Sequence, residues 1–220
     1  MPGHMTMLAD LTADARFYLS LRFPAVRPSF LRLAMVWCTS PGLWLLTVHR
    51  IAHGNAASRS DAWSTIQRIW PGIALRAGNY LSRVLVKSEL LPNTEIAGGV
   101  YLSNRGHLVL GARSIGSGTI IHERVTIGMG LPGIEVPEIG SNVWIGPDCV
   151  IYGEITVGDG ATVLPGSVLT KSIPPGSIVQ GNPARIVRGE LEISGLRKSL
   201  SIDYETYFGR EPSRLNARDV

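Results

Sequence analysis

Two histidines, His107 in SNRGHL and His122 in TIIHERVTIG, stand fifteen residues apart. An imidazole is the side chain whose ordinary pKa lies close enough to neutrality to take a proton from a hydroxyl or an amine. His122 is followed by Glu123, a carboxylate able to orient or charge-stabilise an imidazole in the same region. His122 is therefore the preferred general base and His107 the second candidate. The competing reading of His122 is a plain surface histidine, outward-facing on a flat β face. His49 and His53 lie one helical turn apart, a spacing that suits a metal pair. No third ligand stands in register with them, so helix packing is the reading adopted and no metal is expected.

What must position these residues is a repeat. Ile115, Ile121, Ile127, Ile139, Ile145, Ile151, Val157, Val163 and Leu169 fall on one six-residue clock. A second series follows four residues later, at Thr119, Val125, Val143, Cys149, Ile155, Ala161 and Ser167, and favours small or branched side chains. Such short strands cannot bury their faces alone. Three hexads make one triangular coil of about eighteen residues, and stacked coils share a core. The spacing predicts a parallel β-helix with His107 and His122 on neighbouring coils near one edge. The beat is also kept at Ile96, Leu102 and Leu108, with a one-residue slip before Ile115. It fails at Gly133, where MGLPGIEVPE reads as a short excursion from a corner.

Three segments follow: a helical region over 1–87, the β-helix over 88–186 and a polar tail over 187–220. Ser40–Pro41 is an N-cap and first-turn pair, opening a helix through Leu45, Val48 and His49 that ends near Gly54. A further helix is expected after Asp61, broken or kinked at Pro71. The chain has 220 residues, 45% hydrophobic and 17% charged, with a formal charge of +4 that suits anionic small molecules. No concentrated nucleic-acid patch is present. Cys38 and Cys149 fall in different segments, so a disulfide framework is not expected and a reducing cytoplasm fits best. Ala34–Val48 is too short to span a bilayer, and no signal peptide is read ahead of it. Contact with a membrane surface stays open.

The hexads, the closing IPPGSIVQGNPARIVRG and the upstream helix ending HRIAHG resemble the hexapeptide-repeat acyltransferases over roughly residues 41–188. The resemblance is to their serine-acetyltransferase-like branch, which includes sugar and polysaccharide O-acetyltransferases. It implies a mainly β, left-handed parallel β-helix with an N-terminal α-helical region. It also implies a homotrimer with sites between neighbouring β-helices and acetyl-CoA as acyl donor along the groove. Pro147 and Pro165 match positions whose main chain lines that groove. Lys171, Asn182 and Arg185 stand where the last coil approaches the pantetheine or nucleotide end. For Lys171 and Arg185 the competing reading is solvated charge on a rim. The NPAR bend reads equally as the structural exit from the β-helix, since Pro183 cannot donate to a ladder. Trp144 either covers the groove or packs on a neighbouring subunit.

In serine acetyltransferases the turn after the first coils carries an Asp-His pair, and an Arg-His pair precedes the proline of the later loop. Here Ser103 and Asn104, then Glu135 and Val136, stand in those places. The groups that would read an amino acid's ammonium and carboxylate are gone, which makes serine a doubtful acceptor. Asn104 remains able to position an acceptor. The expected activity is acetyl-CoA-dependent O-acetylation of a sugar hydroxyl, in surface polysaccharide or glycoconjugate biosynthesis, with a histidine base. Alternatives are N-acetylation of an amino sugar or small metabolite and a non-catalytic β-helix scaffold. A carbonic anhydrase on the same fold needs three converging histidines at another spacing and is set aside.

Overall fold

The computed structural model describes residues 3–23, 27–57, 87–128 and 136–187. The described helices and β-helix belong to one compact unit. Among the described residues three helices, α1 (Gly3–Arg22), α2 (Phe30–Thr39) and α3 (Pro41–Ala57), precede fifteen short strands. α3 opens at Pro41 as the Ser40–Pro41 pair predicts, with Ser40 carbonyl accepting the first amides. It runs past Gly54 to Ala57, because glycine inside a helix costs only about 1 kcal/mol. The expected helix after Asp61, the excursion at 129–135 and the tail lie outside the described residues.

The strands are β1 (Glu89–Leu90), β2 (Glu95–Ile96), β3 (Tyr101–Leu102), β4 (Val109–Leu110), β5 (Ser114–Ile115), β6 (Ile120–Ile121), β7 (Thr126–Ile127) and β8 (Glu138–Ile139). They continue as β9 (Trp144–Ile145), β10 (Val150–Ile151), β11 (Thr156–Val157), β12 (Thr162–Val163), β13 (Val168–Leu169), β14 (Ile178–Gln180) and β15 (Arg185–Ile186). They stack as three faces of a left-handed parallel β-helix: β1-β4-β7-β10-β13, β2-β5-β8-β11 and β3-β6-β9-β12-β14-β15. Only β14–β15 is antiparallel among the described pairs. Side chains alternate across a strand, and it is the second residue of each strand, the one on the six-residue clock, that turns inward. Ile115, Ile121, Ile127, Ile145, Ile151 and Val163 are accordingly almost fully buried.

The early coils depart from the expected beat. The inward residue of β4 is Leu110, not Leu108. The turn after β3 is two residues longer than a hexad allows, and the turn after β4 is one shorter, which together make the one-residue slip. Leu108 is still fully buried, because it falls level with Val125, at the second apolar place of the hexad.

The helical region seals the open end of the β-helix through polar contacts to its first coil. Asp14, fully buried, accepts from the Gly99 and Val100 amides and from the Arg50 guanidinium at 2.7 and 3.1 Å. Arg50 also donates to the carbonyls of Ile96 and Ala97. The Tyr18 hydroxyl donates to Leu102 carbonyl at 2.6 Å and accepts from Leu102 N–H at 2.9 Å. α3 comes so close at Gly42 that a Cβ there would overlap Leu102 carbonyl and Tyr18 hydroxyl. Burial raises the Asp14 carboxyl above its ordinary value against the pull of Arg50 and the two amides. The pair therefore costs desolvation, and losing one partner costs more. Asp14→Ala should lower unfolding free energy by about 3–5 kcal/mol, read from denaturant midpoints. A loss within the range of ordinary surface substitutions would show that the clamp is not needed.

Candidate functional site

Most of the residues singled out above meet at one corner, where the chain passes from the β3-β6-β9-β12 face to the β4-β7-β10-β13 face. Strand register sets Ser103 level with His122 and Gly146, Asn104 on the turn beside Glu123, and Pro147 level with Pro165. Asn182 lies in the closing turn above them, beyond Gly181, whose carbonyl accepts Val168 N–H. Lys171 does not join this column in the same chain; it stands exposed at the next corner, after β13, between the β4-β7-β10-β13 and β2-β5-β8-β11 faces. Arg185 is exposed on β15. Pro147 is buried and Pro165 exposed. Val136 is half-buried at the edge of the excursion, and Glu135 lies outside the described residues.

His122 is not on an open face, as its place in the hexad suggests. It is buried to 7% exposure, with its ring 4.8 Å from that of Trp144. Trp144 is itself 2% exposed, so within one chain this indole packs on the imidazole. Gly146 leaves room for the Trp144 ring, which a Cβ there would crowd. Burial, and secondarily the Arg105 charge, push the His122 pKa down from 6.5 to about 4. The imidazole is thus neutral at neutral pH, able to accept a proton yet a weaker base than a solvated histidine.

Glu123 is 1% exposed and turns its carboxylate inward to the preceding coil, where it accepts from Ser103 Oγ at 3.1 Å and faces Arg105 at 3.8 Å. Ser103 Oγ in turn accepts the Arg105 amide at 3.2 Å. Arg105 had no signal in the sequence beyond its charge. Its place could be read only by stacking the turns level, which needs the two-residue expansion after β3. Asn104 Oδ1 accepts the Gly42 N–H at 3.2 Å, so this side chain ties the first turn of α3 to the corner.

His107 sits in the same turn but two places further on, level with Arg124, and is exposed. It takes a left-handed conformation at φ 59°, as do Arg124 at 55° and Asp148 at 59° in the turns above, and Gly166 at 70°. Histidine is among the residues that tolerate this region, so a backbone role accounts for His107 at that place. Arg124 and Asp148 close a bidentate ion pair across adjacent turns at 2.5 and 2.6 Å, each about half exposed. His49 Nε2 lies 2.9 Å from the Thr94 carbonyl, which places this histidine in helix packing.

Comparison with known proteins fits this architecture. Residues 137–171 match the model of the bacterial transferase hexapeptide (six repeats). The chain is 29% identical over 203 residues to a serine acetyltransferase of Synechococcus elongatus, covering 90% of this chain and 77% of that protein. It is 31% identical over 150 residues to serine acetyltransferase 2 of Arabidopsis thaliana, covering 67% of this chain and 43% of that one. Among solved structures, soybean serine acetyltransferase complexed with serine aligns with a TM-score of 0.65 at 27% identity, over 83% of this chain and 70% of the other. The Neisseria gonorrhoeae serine acetyltransferase in complex with serine gives 0.67 at 22% identity, a likeness of fold. The matched repeat places residues 137–171 with the bacterial transferase hexapeptides. The relatives this chain resembles over most of its length are serine acetyltransferases, which are acyl-CoA-dependent acyltransferases. The sugar and polysaccharide branch finds no support among these relatives.

The His122 shift carries a pH dependence. The unfolded chain binds a proton near pH 6.5 and the folded chain resists it until about pH 4. Stability is therefore full above 6.5 and drains as pH falls through that window, by up to about 3 kcal/mol. A denaturation series should show His122→Gln losing less stability than wild type between these values. Parallel slopes would show that the imidazole is not held neutral.

Proposed function

We propose that the protein is an acetyl-CoA-dependent O-acetyltransferase whose acceptor is an uncharged hydroxyl, such as that of a sugar, with His122 as general base. What supports this acceptor class is the use made of Ser103 and Asn104. They stand where the serine acetyltransferases carry their Asp-His pair, and here both are turned to Glu123 and Gly42. Neither is left to read an ammonium group. In the proposed reaction the acceptor oxygen attacks the thioester carbonyl while its proton passes to the neutral His122 imidazole. The tetrahedral intermediate then expels CoA thiolate, which recovers the proton from His122, leaving an acetyl ester and free CoA. Pro147, Pro165 and Asn182, stacked along the same corner, would border the donor, with Arg185 meeting its phosphates from the rim and Lys171, on another corner, reaching them only from a neighbouring copy of the chain.

A second reading, serine as acceptor, is favoured by the serine acetyltransferase relatives. Thiol release from acetyl-CoA with a panel of free serine, neutral sugars and amino sugars separates the two. Turnover with neutral sugars well above that with serine is expected, and serine as the best acceptor would overturn the sugar reading. His122→Ala should lower turnover about a hundredfold with acetyl-CoA binding retained; an unchanged rate would remove His122 from the reaction. The functional assembly is proposed to be a trimer, with sites between neighbouring β-helices. Mass measurement at micromolar concentration checks this, and a monomer would dismiss an inter-subunit site.

A further inference from the structure

Among the described residues, α2 is the element least accommodated by the fold. Of its ten residues only Val36 is buried, with Leu33 half-buried against the core. Phe30 and Leu31 are 84% and 79% exposed, and Met35 and Trp37 are nearly half exposed. The Trp37 indole N–H donates to Thr47 Oγ1 and the Trp44 indole N–H to the Trp37 carbonyl, which fixes one end of this apolar strip on α3. α3 itself turns Leu43, Leu45 and Leu46 into the core. An exposed apolar helix of this kind marks an interaction surface rather than an ordinary solvent face.

Charge decides what it meets. From Ala15 to Ser60 the sequence contains six arginines and neither aspartate nor glutamate. Arg50 is consumed by Asp14, whereas Arg16, Arg22, Arg27 and Arg32 are exposed. Arg22 donates to Thr39 Oγ1 at 3.1 Å, bringing its positive charge to the C-terminal end of α2. Arg32 donates to the Arg27 carbonyl at 2.9 Å, holding the other end of the helix against a second basic residue. A second copy applied to this face would set arginines against arginines with no carboxylate in the segment to answer them. A phosphate-bearing lipid surface answers both the apolar strip and its basic flanks. No single described helix is long and apolar enough to cross a membrane; α2 and the start of α3 pass only together, and they are bent by 98°. Lying along an interface suits that bend, and crossing does not.

We propose that α2 docks the protein on an anionic bilayer, with Phe30, Leu31 and Met35 entering the acyl boundary and Arg22, Arg27 and Arg32 meeting headgroup phosphates. Docking of this kind draws on no residue of the corner that holds His122, so it stands whichever acceptor is acetylated. Flotation of the full chain with phosphatidylcholine vesicles, with and without about 30 mol% phosphatidylglycerol, tests it directly. Binding to the anionic vesicles is expected, at least about tenfold weaker on neutral vesicles or at about 0.5 M salt. The double variant Phe30→Ser, Leu31→Ser should bind the anionic vesicles at least about tenfold more weakly with an unchanged melting curve, both residues being solvent-exposed. Arg27→Ser, Arg32→Ser should reduce the salt-sensitive part of binding. Wild-type protein that stays with the unbound fraction, or apolar variants that float as well as wild type, would overturn the proposal. So would a fall in oligomeric mass in the Phe30, Leu31 variant, which would assign the face to contact between copies.

Discussion

Strands of two residues own almost no ladder of their own, so every coil is held by the one before it. The amide of Ile120 reaches Val143, that of Trp144 reaches Ala161, and that of Thr162 reaches Ser177. This register is the constraint from which the rest follows. Once Ile121, Ile145 and Val163 are stacked in the core, the residues just after them stack at the corner, however distant in sequence. A corner column is therefore an inevitable product of the fold, and chemistry there can be altered one coil at a time without disturbing the core.

The stack needs a beginning, and the beginning is polar. The first coil would present unpaired backbone groups to solvent or to a poorly matched helix surface. Instead Asp14 takes the amides of Gly99 and Val100, Arg50 takes the carbonyls of Ile96 and Ala97, and Tyr18 satisfies both backbone groups of Leu102. Side chains of α1 and α3 stand in for a missing coil. The contacts are directional, which fixes how α3 sits and so places Gly42 within reach of Asn104.

The six-residue clock made the β-helix legible, because its period is set by geometry and repeats through the core from Ile115 to Leu169. It also placed His107 and His122 on neighbouring coils at one edge, as the structure finds. What the clock could not convey is burial of an outward position. His122 points away from the core by its hexad place, yet Trp144 from the next coil closes over it. Nor could the clock register the expanded turn after β3, which moves the inward residue from Leu108 to Leu110 and sets His107 level with Arg124. The clamp on the first coil was invisible for another reason. Asp14 and Arg50 are single residues on different helices, and nothing periodic announces that they meet.

The corner has a consistent electrostatic logic. A carboxylate as buried as Glu123 is tolerable when it gathers a hydroxyl and a guanidinium, and Ser103 and Arg105 supply both. The same Arg105 charge helps keep His122 unprotonated, although desolvation does most of that. Negative charge is thereby held one residue from an imidazole that stays neutral, and the two are not merged into a solvated ion pair. Such a neutral imidazole needs no prior proton loss before it accepts one, but its low basicity makes proton transfer less favourable than at a histidine titrating near 6.5. A rate competitive with that of a more basic site would then require the acceptor hydroxyl to be held in close alignment with Nε2 or Nδ1. That demand falls on the surrounding shape, because Ser103 and Asn104 are already committed to Glu123 and Gly42. On the proposed reading, acceptor choice would rest on packing around the corner more than on a charged pair within it.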